Sequence, residues 1–201
     1  MESKSFYTPQ SAASMEISVK GSRFIATLDH TSSKEEADEI LNKVAAQNPS
    51  ATHNCFAYRL GIGDDGIFRV EDDGEPGNTA GKPILQALEA RNVSNAMLVV
   101  TRYFGGTKLG IGGLIRAYSA AAFAALDACK LALVEPTSEL AIIFPYDATG
   151  IVHKILNQFN CTILETNYGA RTSMSIELPL KNRKPLQVAL RDMTRGEISI
   201  E

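Results

Sequence analysis

Only three cysteines, Cys55, Cys129 and Cys161, occur in 201 residues, and no two stand at Cys-x-x-Cys spacing. An odd, scattered count fits neither a disulfide scaffold nor a zinc site and points to a reducing compartment. There is no excess of positive charge: 20 Lys and Arg face 23 Asp and Glu, for a net charge of −3. That argues against a histone-like or polybasic nucleic-acid binder, although a local basic face survives the arithmetic. There is also no long uncharged apolar run. The most apolar stretch, 117–134, contains Asp127 and Lys130. At roughly 2.5–3.5 kcal/mol per central charge it reads as a helix packed inside the protein, not a membrane span. The opening MESKSFYTPQ has no apolar h-region, so no signal peptide, no membrane partner and a cytoplasmic location are expected.

Catalytic signatures are scarce too. The one Gly-Lys pair, Gly81-Lys82, is followed by Pro83, where a phosphate-binding P-loop needs Ser or Thr. No His-Glu-x-x-His occurs, so metallopeptidase chemistry has no support, and neither a metal nor a cofactor is expected. His53 and Cys55 lie two apart on one expected strand with no acid tied to them by spacing, which favours a small buried thiol over a nucleophile.

What is present is an ordinary globular composition, 44% hydrophobic and 21% charged, enough for a full core. Alternation in Met15, Ile17 and Val19 and again from Phe24 to Leu28 predicts two strands meeting near Lys20-Gly21. Ser33 with Glu36 reads as a capping box, and Ala37, Ile40, Leu41 and Val44 carry a helix to about Gln47. Strands are expected over 54–60 and 67–71, joined by the turn Gly63-Asp64-Asp65-Gly66. Thr79 is placed as the N-cap of a helix with Pro83 in its first turn, ending at Arg91 with Asn92 beyond it. The continuously apolar run 96–101 predicts a central strand, and an alanine-rich helix is expected over 113–130.

The segment Val134-Glu135-Pro136-Thr137-Ser138 breaks this pattern and marks a domain boundary, giving domains 1–135 and 136–201. Beyond it the expected order is strand 140–144, helix 148–159, strand 161–165, strand 172–178, helix 184–194 and strand 197–200. Asp147 is expected to cap the first of these helices, and Pro185 lies in the first turn of the second. This β-α-β-β-α-β order is the ferredoxin-like arrangement.

The near-neutral total conceals segregated charge. Residues 64–75 hold six acids against Arg69, residues 92–126 hold Arg102, Lys108 and Arg116 with no acid, and residues 181–195 hold five bases against Asp192. The middle segment contains five glycines in nine residues, Gly105, Gly106, Gly110, Gly112 and Gly113, between a buried strand and a long helix. Free N–H groups there, with about half a positive charge at the helix terminus, make an anion site. Lys108 and Arg116 would reinforce it, and Arg grips phosphate bidentately. The loop lacks the G-x-G-x-x-G spacing of a dinucleotide fingerprint. Tyr103, Phe104 and Tyr118 are candidates for stacking on unpaired bases. Asp72, Asp73 and Glu75 are weak candidates for paired catalytic carboxylates, or else acids that shape and cap a turn.

Four blocks in order resemble the IMPACT family, in its bacterial YigZ-like branch. They are 20–26 with Arg23; His53-Asn54-Cys55-x-Ala57-Tyr58; Asp72-Asp73-Gly74-Glu75-Pro76 with Thr79-Ala80-Gly81-x-Pro83; and the stretch 100–118. This sequence has Gly77-Asn78 where the family usually has Ser-Gly. Asn accepts left-handed backbone better than most residues, so the turn is expected to survive. The resemblance implies an α+β protein. Its N-terminal α/β sandwich would be like domain 2 of ribosomal protein S5, and its ferredoxin-like C-terminal domain like the terminal domains of elongation factor G. It also implies translation control, since eukaryotic relatives restrain, during amino-acid starvation, a kinase that phosphorylates an initiation factor.

Three functions follow as expectations. The first is a non-enzymatic regulator of translation that binds RNA or the ribosome through the basic glycine loop. The second is an enzyme for small phosphate esters using Asp72, Asp73 and Glu75 opposite that loop. The third is a protein-interaction module in stress or translation signalling, with the loop serving as architecture.

Overall fold

The computed structural model describes residues 5–62, 66–194 and 196–200. The chain forms two compact units, 6–134 and 135–200, with Ser5 counted in the second.

The first unit is built on an antiparallel five-stranded sheet. Its strands are β2 (Ala13–Val19), β3 (Ser22–His30), β4 (His53–Leu60), β5 (Ile67–Glu71) and β6 (Ala96–Tyr103), in the order β2-β3-β6-β4-β5. The helices are α1 (Lys34–Gln47), α2 (Gly81–Ala90) and α3 (Ile111–Ala128). Side-chain alternation sorts them onto two faces. Phe24, Ala26 and Leu28 of β3, Cys55 and Ala57 of β4, and Leu98 and Val100 of β6 pack with α2 and α3. Phe56, Tyr58, Leu60, Met97 and Val99 point the other way, under Ala37 and Val44 of α1. Covering both faces is why 96–101 is apolar without a break. The alanines of α3 (Ala117, Ala121, Ala122 and Ala125, all at most 2% exposed) let that helix lie close to the sheet.

Several local expectations are corrected. A short strand β1 (Phe6–Pro9) pairs antiparallel with β7 (Leu131–Val134), neither of which the patterning signalled. The β2–β3 turn does fall at Lys20 and Gly21, both at positive φ. Ser33 caps α1, its Oγ accepting the Glu36 N–H at 3.1 Å, but Glu36 reaches back to the Ser32 N–H and hydroxyl instead of closing the box on Ser33. Those bonds hold the Glu36 carboxyl below its ordinary range. The turn expected at Gly63-Asp64-Asp65-Gly66 lies largely outside the described residues. Thr79 does not cap α2; its hydroxyl donates to the Pro76 carbonyl. Helix α3 starts at Ile111, so Gly112 and Gly113 belong to its first turn rather than to the loop.

The second unit is a four-stranded antiparallel sheet of β8 (Thr137–Phe144), β9 (Thr162–Tyr168), β10 (Thr172–Pro179) and β11 (Ser199–Ile200), in the order β11-β8-β10-β9. Helices α4 (Thr149–Gln158) and α5 (Arg183–Met193) complete the β-α-β-β-α-β sequence. Outer strands separated by antiparallel neighbours in this way are the ferredoxin-like arrangement. One sheet face, with Leu140, Ile142, Phe144, Met174, Ile176 and Leu178, packs on Val152, Ile155, Leu156, Leu186 and Leu190 of the helices. Asp147 sits in a short 3₁₀ turn ahead of α4 and makes no side-chain cap. Among the described residues, no helix is long and apolar enough to cross a membrane.

Candidate nucleic-acid interface

The same alternation that builds the core decides which side chains reach the glycine loop. Along β6, Arg102 shares a face with Leu98 and Val100, so its guanidinium enters the layer under α3 and is 4% exposed. A buried guanidinium requires a partner, and Glu75 supplies it, with Nη1 to Oε1 at 2.5 Å. Arg102 Nη2 also reaches the buried Ser22 hydroxyl at 3.4 Å. Its Cζ lies 5.5 Å from the ring centroid of Phe24 and 5.5 Å from that of Phe104. Arg102 Nε is buried with no hydrogen-bond partner. Arg102 is therefore not an open phosphate ligand: its charge is spent internally.

The acidic turn is equally committed. Tyr118, fully buried, donates its hydroxyl to Glu75 Oε1 at 2.7 Å. His53 lies near, its Nε2 3.9 Å from the same oxygen, while its Nδ1 donates to the Asp73 carbonyl at 2.7 Å. Asp72 is the true cap of α2. Its Oδ1 accepts the N–H groups of Ala80 and Gly81, each at 2.9 Å, and its Oδ2 accepts that of Asn78 at 2.7 Å. Asn78 stands at φ 62, the left-handed position expected of it. Asp73, itself at φ 43, accepts the Asn54 N–H at 2.6 Å. Cys55 donates to the Asp72 carbonyl at 3.0 Å, and burial pushes its thiol up to about 12. Burial likewise raises the Tyr118 hydroxyl. A thiol held protonated is a poor nucleophile. These acids and the thiol tie the β5–α2 turn to β4.

The loop from Phe104 to Gly110 is exposed apart from half-buried Leu109. Two of its glycines act differently. A Cβ at Gly105 would lie 1.9 Å from the Gly21 carbonyl carbon, so this glycine lets the loop cross the β2–β3 turn, and its N–H donates to Ser22 Oγ. Gly110, at φ 69 with open space around it, is the N-cap of α3 and offers no side chain to the first-turn amides. No acid occupies that first turn. Lys108 and Arg116 are exposed, and Arg116 Nη1 lies 3.5 Å from where a Cβ on Gly112 would stand, over the start of the helix. An open cavity of about 280 Å³ adjoins this terminus; Arg102, Glu75 and Leu114 are its buried members, Leu109 is half-buried, and Pro76, Phe104, Lys108, Gly110 and Ile111 are exposed.

The remaining expected residues scatter. Tyr118 belongs to the core and presents no ring face to solvent. Tyr103 is half-buried, its hydroxyl donating to Asn48 and one ring face covered by the Arg23 guanidinium 4.6 Å away. Phe104, 48% exposed, is the aromatic left open. Tyr58 is buried on the α1 face, where Asn54 also points, accepting from Thr101. Gly81 passes against the backbone of Glu71. Ser22, Pro76, Leu109 and Leu114 were not anticipated at the site; for Leu114 the signal was available, since it falls on the buried stripe of α3 with Ala117 and Tyr118.

Fold and site together define a two-domain α+β protein with a cationic, glycine-lined helix terminus beside a buried Arg–Glu pair. Residues 20–126 match the Impact N-terminal domain, and residues 142–197 match a domain of unknown function (DUF1949). The chain is 35% identical to IMPACT family member YvyE of Bacillus subtilis, over 98% of this chain and 90% of that one. It is 32% identical to YigZ of Escherichia coli over 98% and 97% of the two chains. Human Protein IMPACT is 38% identical over 47% of this chain and 30% of its own length. A crystal structure of a hypothetical protein, 32% identical, aligns over 98% of this chain and 96% of the other with a TM-score of 0.66. The chain belongs to the IMPACT family.

Proposed function

We propose that this protein is a non-enzymatic, RNA- or ribosome-associated regulator of translation that holds nucleic-acid phosphate at the start of α3. The observation that carries the reading is the combination at that terminus: unfilled first-turn amides after Gly110, with Lys108 and Arg116 exposed beside them and no acid in the turn. Oriented amides, the helix dipole and two mobile cations favour a polyanion. The enzymatic alternative loses its chemistry, because Asp72, Asp73 and Glu75 each spend their carboxylates on backbone N–H groups or on Arg102. Exposed Ile111 and Ile115 near the loop suit a protein contact accompanying the nucleic acid, which keeps translation control through a protein partner as the second reading.

The test is binding of single-stranded RNA and of purified ribosomes across a salt series, for the natural chain, Lys108→Ala, Arg116→Ala and the double variant. Each lost phosphate contact should reduce the slope of log K against log salt by about 0.7 on single strands and weaken binding to all sequences alike. Unchanged affinity and slope in the double variant would refute the reading.

A further inference from the structure

The second unit leaves one long sheet edge open. In the order β11-β8-β10-β9, the outer strand β11 is two residues long, whereas β9 runs for seven and pairs with β10 alone. Every residue of β9 except half-buried Thr166 is exposed. Such an edge presents a row of unpaired N–H and C=O groups, a template for a further strand. Folded proteins guard their edges with short strands, proline, lysine or bulges. Strand β9 has no proline or lysine. Its one bulge lies near its start, where the register with β10 shifts and leaves Leu164 unpaired. Beyond the bulge, Glu165 to Tyr168 run in regular register against Ser175 to Thr172.

The edge is apolar as well as open. Ile163 is 37% exposed, Leu164 50% and Tyr168 68%, and the Tyr168 ring meets that of Tyr146, 71% exposed, with centroids 6.4 Å apart. Apolar side chains gathered along a free edge mark a contact surface.

The partner that fits is written in the strand itself. Two copies of β9 related by a twofold axis run antiparallel, and residues facing one another project from the same sheet face, so one residue lies opposite itself. Centring the axis on Glu165 sets carboxylate against carboxylate, which destabilises the pair. Centring it on Asn167 sets Leu164 past the end of the other strand. Centring it on Thr166 sets threonine against threonine, Glu165 of each copy against Asn167 of the other, and Leu164 of each against Tyr168 of the other. Hydroxyl pairs and aromatic–aliphatic pairs directly across an antiparallel ladder are favourable. Glu165 and Asn167 stand on the face away from α4 and α5, because their partners Ser175 and Ser173 alternate with the core residues Met174 and Ile176. The Asn167 amide already donates to Glu165 Oε1 within one strand at 3.1 Å. Its second N–H and the remaining carboxylate oxygen are left to bond across the axis.

We infer that β9 is a self-recognition edge. Two copies of this chain join antiparallel about a twofold axis at Thr166, merging their four-stranded sheets into one continuous sheet with the helices on a single face. The contact is confined to residues 164–168 and the Tyr146 rings, so the dimer is weak and forms with rising concentration. It does not depend on the reading of the start of α3.

Sedimentation equilibrium of the full chain from about 10 µM to about 1 mM should show monomer passing to dimer and stopping there. Asn167→Glu, at an exposed position, sets a carboxylate against Glu165 twice and should weaken association about ten-fold. Asn167→Lys supplies two ion pairs instead and should strengthen it, with the gain fading in salt. A merely local disturbance of β9 would not change sign with the charge. Thr166→Cys should cross-link chain to chain on mild oxidation, because facing Cα atoms in an antiparallel pair stand about 4.5–5.5 Å apart, within disulfide reach. Glu165→Cys, facing Asn167, should not, and the natural chain controls for its own three free cysteines. A chain that stays monomeric to about 1 mM leaves the edge bare or open to another protein's strand, and overturns the inference. Growth beyond the dimer overturns it, as does a dimer indifferent to the charge placed at Asn167 or one cross-linked equally well from Glu165→Cys.

Discussion

Removing the Glu75 carboxylate tests the energetic core of the first unit. Glu75→Ala leaves the Arg102 guanidinium, 4% exposed and near the rings of Phe24 and Phe104, without its counter-charge, and leaves the Tyr118 hydroxyl without its acceptor. Breaking one side of a buried ion pair costs about 3–5 kcal/mol, with the orphaned hydroxyl included in the upper part of that range. With a urea m-value of about 2 kcal/mol/M, the midpoint should fall by about 1.5–2.5 M at unchanged slope. The assay is urea unfolding by far-ultraviolet circular dichroism. The pair lies within residues 6–134, so the transition of that unit should move and that of residues 135–200 should not. The double variant Glu75→Gln with Arg102→Met removes both charges and should recover most of the loss, since matched apolar replacement of a buried pair is commonly near neutral. A loss below about 1 kcal/mol in Glu75→Ala would refute the reasoning, because it would mean that Arg102 is hydrated or re-paired.

Three further outcomes follow. Gly105→Ala should be far worse than Gly106→Ala: the first drives a methyl into the Gly21 backbone, while the second has open space and pays only for φ 82, about 1 kcal/mol; equal thermal stabilities would contradict this. Asp72→Ala strips the acceptor from three backbone N–H groups at the start of α2 and should cost about 2 kcal/mol in chemical unfolding, whereas Thr79→Ala should cost less; the reverse order would restore Thr79 as the cap. The Cys55 thiol, raised by burial from 9.0 to about 12, makes the folded state hold its proton longer than the unfolded chain. Its contribution is therefore complete below pH 9 and is lost as the pH rises from about 9 toward 12; Cys55→Ala should flatten that part of the stability profile, and an unchanged decline would assign it elsewhere.

The parts of this structure legible in the sequence are those governed by local periodicity. The two-sided burial of β6, the β2–β3 turn at Lys20-Gly21 and the element order of the second unit follow from residues near one another in the chain. The errors share a cause in long-range partners. Thr79 carries the right residue type for an N-cap, but Asp72 reaches the α2 amides first, through a turn that no local pattern encodes. Arg102 reads as a loop cation because its partner Glu75 lies in a different segment, joined to it only when β6 and the acidic turn meet under α3. Its even-numbered register with Leu98 and Val100 carried the warning. Tyr118 likewise shares the buried stripe of α3 with Leu114, Ala121 and Ala125, so its helical spacing already favoured the core over stacking. The strands β1 and β7, four residues each, are too short to leave a period.

Amide chemical-shift mapping tests most directly whether the start of α3 is a working phosphate site. On titration of the isotope-labelled chain with a short single-stranded RNA, the largest shifts should fall on Gly106 and on the amides from Gly110 to Leu114. They should diminish in the Lys108→Ala, Arg116→Ala double variant. Shifts confined to other surfaces, such as the basic helix α5, with the amides from Gly110 to Leu114 unmoved, would contradict it.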